Sequence, residues 1–159
     1  MKAQTDNHET PEWAETCDLI VAGAGAAGLA AAVTAAHHGL SVVLAEKAPV
    51  LGGTTAWSGG WIWAPDNPVA RRAGVQEKAG DPQRYLEAVL GNRFDPELAL
   101  AFLNAAPEMV DFFESHTALQ FDAGLKIPDT YSHQPGAGMG GRSVIAKPYD
   151  GRELGAQIH

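Results

Sequence analysis

The chain has 159 residues, 45% of them apolar, which is enough for one globular core, and a formal net charge of −8 at pH 7. That charge repels nucleic acid and offers no basic patch to an anionic membrane, so an anionic ligand has to be held by local geometry. A single cysteine, Cys17, excludes an internal disulfide and a cysteine-based metal cluster, and at the mouth of an apolar strand it is expected to be a buried structural thiol.

Residues 1–15 are polar and acidic, without the apolar stretch of a signal peptide, and are expected to form a disordered lead-in. The longest apolar run, Leu29 to Ala36, is too short and alanine-rich to span a bilayer, and the Arg71-Arg72 pair lies too far inside the chain for an export signal. A cytoplasmic protein without a membrane span is the expectation. Asp18 to Ala22 is a short apolar run ending in glycine, the pattern of a strand buried on both faces of a parallel sheet. Ala26 to His38 has helical spacing, with Gly39 placed to end the helix in a left-handed turn, and Ser41 to Ala45 is a second strand. Residues 16–65 therefore form a strand-helix-strand unit followed by a glycine- and tryptophan-rich loop from Pro49 to Pro68.

Residues 66–118 are expected to be helical. Asp81-Pro82 and Asp95-Pro96 each place a capping side chain before a first-turn proline. Leu86 and Leu90 mark one apolar face and Gly91 its stop; Leu98, Phe102 and Leu103 mark the next face. Pro107 is expected to break or kink that helix, after which Met109, Val110 and Phe113 continue a buried stripe. Residues 119–159 are rich in glycine and proline. The six histidines have no ligand spacing, so no metal site is expected.

The strongest motif is Gly23-Ala24-Gly25-Ala26-Ala27-Gly28, which follows one predicted strand and opens one predicted helix. Gly23 permits a sharp turn, Gly25 lets backbone approach a diphosphate, and Gly28 lets helix and strand approach each other. The helix start supplies unpaired N–H groups and about half a positive charge. Glu46, at the end of the second strand, can accept hydrogen bonds from both hydroxyls of an adenosine ribose, which disfavours a 2′-phosphate. Up to Glu46 the pattern serves FAD and NAD equally.

The next segment separates them. Glu46-Lys47, then Gly52-Gly53-Thr54-Thr55 and Ser58-Gly59-Gly60, resemble the flavoprotein family of fumarate reductase, succinate dehydrogenase and 3-ketosteroid Δ1-dehydrogenase. Trp61 to Pro65, Gly141-Arg142-Ser143 and Asp150 to Gly155 are most similar to the ketosteroid branch. The resemblance implies an α/β, Rossmann-like FAD-binding βαβ unit, a helical segment and the beginning of a substrate cap. It implies FAD as cofactor, with Gly23, Gly25, Ala26, Ala27, Gly28, Glu46, Lys47, Gly52, Gly53, Thr54, Thr55, Ser58, Gly59 and Gly60 around it. Gly52 and Gly53 can turn amides to phosphate or ribitol oxygens, and Gly59 and Gly60 expose bare backbone to a flat ring. Trp57, Trp61 and Trp63 are expected to anchor the loop before any of them stacks on flavin.

The implied reaction moves a hydride between flavin N5 and a substrate carbon next to a carbonyl, on a small molecule that is a steroid or an unsaturated carboxylate. A fumarate reductase-like ene reductase is the alternative. The branch's functional tyrosine matches Thr130, so Tyr131 beside it is a weak catalytic candidate and otherwise a packing or surface residue. Arg142 and Arg152 are expected to be solvated. The resemblance further implies an amino-terminal piece, inactive alone unless another chain complements it; a non-catalytic product and a small NAD-binding protein are the rival readings.

Overall fold

A computed structural model describes residues 16–157, so the expected lead-in and His159 lie outside the described residues. These residues form two compact units, the first ending at Trp57 and the second beginning at Ser58.

In the first unit β1 (Leu19–Ala22), α1 (Ala26–His37) and β2 (Val42–Ala45) follow in order. The strands pair in parallel, Leu19 opposite Val42 through Ala22 opposite Ala45. Parallel strands need a crossover, and α1 supplies it. Asp18 stops short of the strand because its carboxylate accepts the Ser41 N–H at 2.8 Å. Gly39, at φ +83°, ends the helix in the left-handed turn that its sequence position predicts. β1 is not buried on both faces. Val21 goes inward, whereas Ile20 is 69% exposed, the alternation of a strand covered on one side within its unit. Cys17 is half-buried rather than enclosed.

The second unit contains β3 (Trp61–Trp63), α2 (Pro68–Arg72), α3 (Asp81–Leu90), α4 (Pro96–His116), β4 (Phe121–Ala123) and β5 (Ser143–Ala146). The three strands form an antiparallel sheet in the order β3-β5-β4. Ala64, Val69, Ala106, Val110, Phe121 and Val144 form its core, with Met109 and Phe113 packed against them, as the predicted stripe requires.

Several expectations need correction here. The segment from Pro49 to Pro68, expected to be a loop, contains a 3₁₀ turn at Gly53–Trp57 and the strand β3. α4 runs unbroken through Pro107, because Ala106 and Val110 on either side of it are buried and their packing outweighs one missing N–H donor. Its buried face is Ala99, Ala106 and Val110; Leu98 and Phe102 are exposed, as is Leu90 of α3, whose buried residues are Pro82 and Tyr85. Asp95 caps α4, accepting the N–H groups of Glu97 at 3.0 Å and Leu98 at 3.1 Å. Asp81 does not cap α3. Gly80 occupies that position, and Asp81 pairs with Arg84 instead. Asn67, wholly buried, caps α2 through the Ala70 N–H and donates to the carbonyls of Ala64 and Gly141.

Candidate functional site

The bend between β1 and α1 begins with Gly23 at φ +97°, a conformation that disfavours any side chain. A Cβ on Gly28 would collide with the carbonyl oxygen of Gly23, so helix and bend touch where only glycine fits. Gly25 differs from both. It caps α1 with ordinary extended torsions, φ −75° and ψ −178°, and a Cβ built on it meets nothing within 4 Å. Neither turn geometry nor packing therefore demands glycine there. An open space directly before a helix amino terminus suits a group that approaches from outside and accepts N–H bonds, as a diphosphate does.

Glu46 sits at the carboxyl end of β2 and turns towards this bend. Its Oε2 accepts the Ala24 N–H at 2.7 Å and its Oε1 accepts the Ala48 N–H at 2.9 Å. Those two bonds, Ala24's first, hold its carboxyl below the ordinary carboxylate range despite the opposing desolvation. An ionised carboxylate offers about four acceptor positions, so two remain for hydroxyl donors. Ala22, Gly23, Ala45, Glu46 and Lys47 line an open depression of about 580 Å³ at the carboxyl ends of both strands, where open α/β sheets take their ligands. The next loop folds back onto the bend: Gly52 donates its N–H to the Ala24 carbonyl at 2.8 Å, and a Cβ on Gly53 would lie 3.2 Å from the Gly25 Cα. Gly23, Gly25, Ala26, Ala27, Gly28, Glu46, Lys47, Gly52 and Gly53 thus belong to one neighbourhood. Thr54, Thr55 and Trp57 lie on the exposed 3₁₀ turn, and Trp57, 91% exposed, does not anchor it. Ser58 accepts the Gly60 N–H at 3.0 Å, in the approach to β3.

The second unit holds a separate recess of about 420 Å³, walled by Trp61, Trp63, Tyr85, Ile127, Asp129 and Tyr131. Trp63 does anchor its segment: it stacks on Phe102, with ring centroids 6.0 Å apart, and its indole N–H reaches Asp129 Oδ1 at 2.7 Å. Asp129 also closes its own loop. Its N–H donates to the Gly138 carbonyl at 2.9 Å, and its Oδ2 accepts the Gly138 N–H at 2.7 Å. Tyr131, half exposed, is pinned by its main-chain N–H to the Tyr85 hydroxyl at 3.2 Å.

Arg142 is not a solvated arginine. It is 3% exposed, and its Nε and NH2 form a two-pronged pair with Glu77 at 2.8 and 2.7 Å. Its NH1 donates to Asp129 Oδ2 at 2.6 Å and to the Gly136 carbonyl at 2.8 Å. Burial alone would lower its pKa, but the bonds to Glu77 and the charges of Glu77 and Asp129 outweigh it, and the pKa rises. Arg152, by contrast, is exposed and pairs with Asp150, as expected. No linear pattern points to the Arg142 cluster, because Glu77 lies 65 residues away from Arg142.

A family described as "FAD binding domain" matches residues 18–159, nearly the whole chain. The chain belongs to this FAD-binding family. Its cofactor is FAD, so the ambiguity that the glycine motif leaves between FAD and NAD is removed. Over 141 residues it is 44% identical to a 3-oxosteroid 1-dehydrogenase of Mycobacterium tuberculosis, covering 89% of this chain and 25% of that protein. It is 43% identical over 139 residues to the 4-oxocyclohex-2-ene-1-carboxylate 5-dehydrogenase of Sinomonas cyclohexanicum, covering 87% of this chain and 23% of that one. A 3-ketosteroid Δ1-dehydrogenase from Sterolibacterium denitrificans, solved with 1,4-androstadiene-3,17-dione, superposes with a TM-score of 0.82 at 35% identity, over 91% of this chain and 25% of that one. The chain spans about a quarter of the length of these relatives. It is a flavoprotein sequence similar to those of ketosteroid dehydrogenases, with the α/β fold of an FAD-binding domain. No helix among the described residues is long and apolar enough to cross a membrane.

Proposed function

We propose that the first unit is a Rossmann-like cradle for the ADP half of FAD, and that the protein to which this chain belongs desaturates a ring next to its ketone. The observation that carries the cradle is Gly25, a glycine that the fold itself does not need, at the start of a helix. In this reading the N–H groups at Gly25, Ala26 and Ala27 take the diphosphate, and Gly23 and Gly28 shape the bend. Glu46, already braced by Ala24 and Ala48, gives its remaining lone pairs to the ribose hydroxyls. Lys47, Gly52, Gly53, Thr54 and Thr55 serve the adjoining phosphate and ribitol oxygens. The assignment of Ser58, Gly59 and Gly60 to a bare backbone wall for the flat ring rests on the family resemblance.

The relatives support one shared chemistry. Their names place the dehydrogenated carbon one or two positions from a ring oxo group, whether the ring belongs to a steroid or to a cyclohexene carboxylate. When bound, FAD supplies the hydride acceptor at N5. What this chain adds is an aromatic-walled recess, the opening part of a substrate cap, with Tyr131 on its rim as the hydroxyl able to meet a ketone oxygen or carry the accompanying proton.

The test is direct. Purified protein loaded with FAD is expected to hold a yellow chromophore through gel filtration and to release none of it to excess NAD. Colourless protein, or equal displacement by NAD, overturns the cradle. The reaction is tested by reduction of an artificial electron acceptor with 4-androstene-3,17-dione, in protein extended to the full length of the relatives.

A further inference from the structure

The rim of the recess in the second unit is held on both sides of Thr130. On one side Asp129 takes the Trp63 indole N–H at 2.7 Å and the Arg142 guanidinium at 2.6 Å, and Arg142 is itself braced by Glu77. On the other side the main-chain N–H of Tyr131 donates to the Tyr85 hydroxyl at 3.2 Å, across 46 positions of sequence. Tyr85 belongs to the buried face of α3. Its ring lies 5.8 Å from that of Trp63, and the Arg142 guanidinium sits 6.0 Å from its centroid. One side chain therefore touches the aromatic wall, the buried cation and the backbone of the rim. The loop that carries the rim is seated on α3 a second time. A Cβ on Gly136 would lie 2.3 Å from the Asp81 carbonyl oxygen and 2.9 Å from the Tyr85 nitrogen, so loop and helix meet where only glycine fits.

Tyr131 is half exposed, so packing of its own side chain does not set where its hydroxyl points. Its placement comes from the backbone, after which only the two side-chain torsions of a tyrosine remain. A misplacement of about 1 Å can cost a reacting group about a hundredfold in rate, so a tether on the Tyr131 N–H acts directly on that hydroxyl's efficiency.

We infer that Tyr85 is a positioning residue: by accepting the Tyr131 N–H from a helix already fixed against Trp63 and Arg142, it sets the Tyr131 hydroxyl relative to the recess. The inference rests on the reading of Tyr131 as the hydroxyl that meets a ketone oxygen or carries the accompanying proton, and it extends that reading to the residue behind it.

The experiment is a double-mutant cycle in FAD-loaded protein extended to the full length of the relatives, turning over 4-androstene-3,17-dione with an artificial electron acceptor. Tyr131→Phe removes the acting hydroxyl and is expected to lower kcat about a hundredfold. Tyr85→Phe keeps the ring between Trp63 and Arg142 and removes only the tether. It is expected to lower kcat about tenfold while KM holds within about twofold. With Tyr131→Phe already in place, Tyr85→Phe is expected to cost nothing further, because the group it positions is gone. Partial loss of folded protein lowers activity by the same factor in both backgrounds, so the comparison of backgrounds is what decides. An equal loss in both, or no loss from Tyr85→Phe where Tyr131→Phe has one, overturns the inference and leaves the role of Tyr131 intact. Full activity of Tyr131→Phe, or an inactive parent, overturns the reading of Tyr131, and the inference with it.

Discussion

The two units of this chain solve the problem of holding charge in opposite ways. In the first, polar chemistry is main-chain: N–H groups at a helix start and a single carboxylate, Glu46, which itself takes two backbone N–H groups. In the second it is side-chain: a guanidinium, two carboxylates and an indole, drawn from four distant segments. A site made from backbone is sensitive to added atoms, whereas one made from side chains is sensitive to removed ones. Substitutions of both kinds test that contrast.

The largest effect is expected at Gly28→Val, where the new side chain must displace the Gly23 carbonyl. The first unit should lose about 5 kcal/mol in a urea titration, the range of severe core overpacking and strain, and with it FAD binding. Arg142→Met leaves Glu77 and Asp129 buried without their cation and should cost the second unit roughly 3–5 kcal/mol by the same measurement. Gly25→Ala sharpens the comparison most. Its Cβ has room, so the denaturation midpoint should hold while FAD affinity falls about a hundredfold, equivalent to roughly 2.7 kcal/mol. A parallel loss of stability would mean that Gly25 serves the turn and not a ligand.

Glu46→Gln is expected to weaken FAD about tenfold and to change how binding responds to acid. Because the carboxyl titrates below its ordinary 4.5, its contribution is complete above that value and is lost as pH falls through the lowered one. FAD affinity followed from pH 7 downward should therefore stay level through pH 4.5 and drop only below it, as the lowered value is passed, a drop that the glutamine variant lacks on this account. The smallest effect is Asp95→Ala. It removes the cap from α4 and should lower stability by about 1 kcal/mol without touching FAD affinity.

The same contrast decides what the sequence discloses. β1, α1 and β2 are legible to within a residue because their signals are local: an apolar run, helical spacing, glycines at fixed offsets. Glu46 is legible for the same reason. β3 is not, because this three-residue strand is defined by a partner about eighty positions away and carries no period of its own. Arg142 looks like any glycine-flanked surface arginine until Glu77 and Asp129 are brought to it. The buried faces of α3 and α4 differ from those expected at Leu90, Leu98 and Phe102 because helical spacing offers several faces, and tertiary packing chooses among them.

The strand order β3-β5-β4 also has a consequence for synthesis. β5 is central, and both of its neighbours precede it, so neither can find a hydrogen-bonding partner in this sheet until residue 143 has emerged. Trp61 waits 84 residues for Ile145, which at translation rates of 5–20 residues per second is roughly 4–17 s with an aromatic edge unsatisfied. β1 and β2, only 23 residues apart, are free to close long before that. A ribosome that pauses between Ala123 and Ser143 therefore presents a nascent chain whose β1 and β2 can already pair and whose tryptophan-bearing strand still lacks its partner.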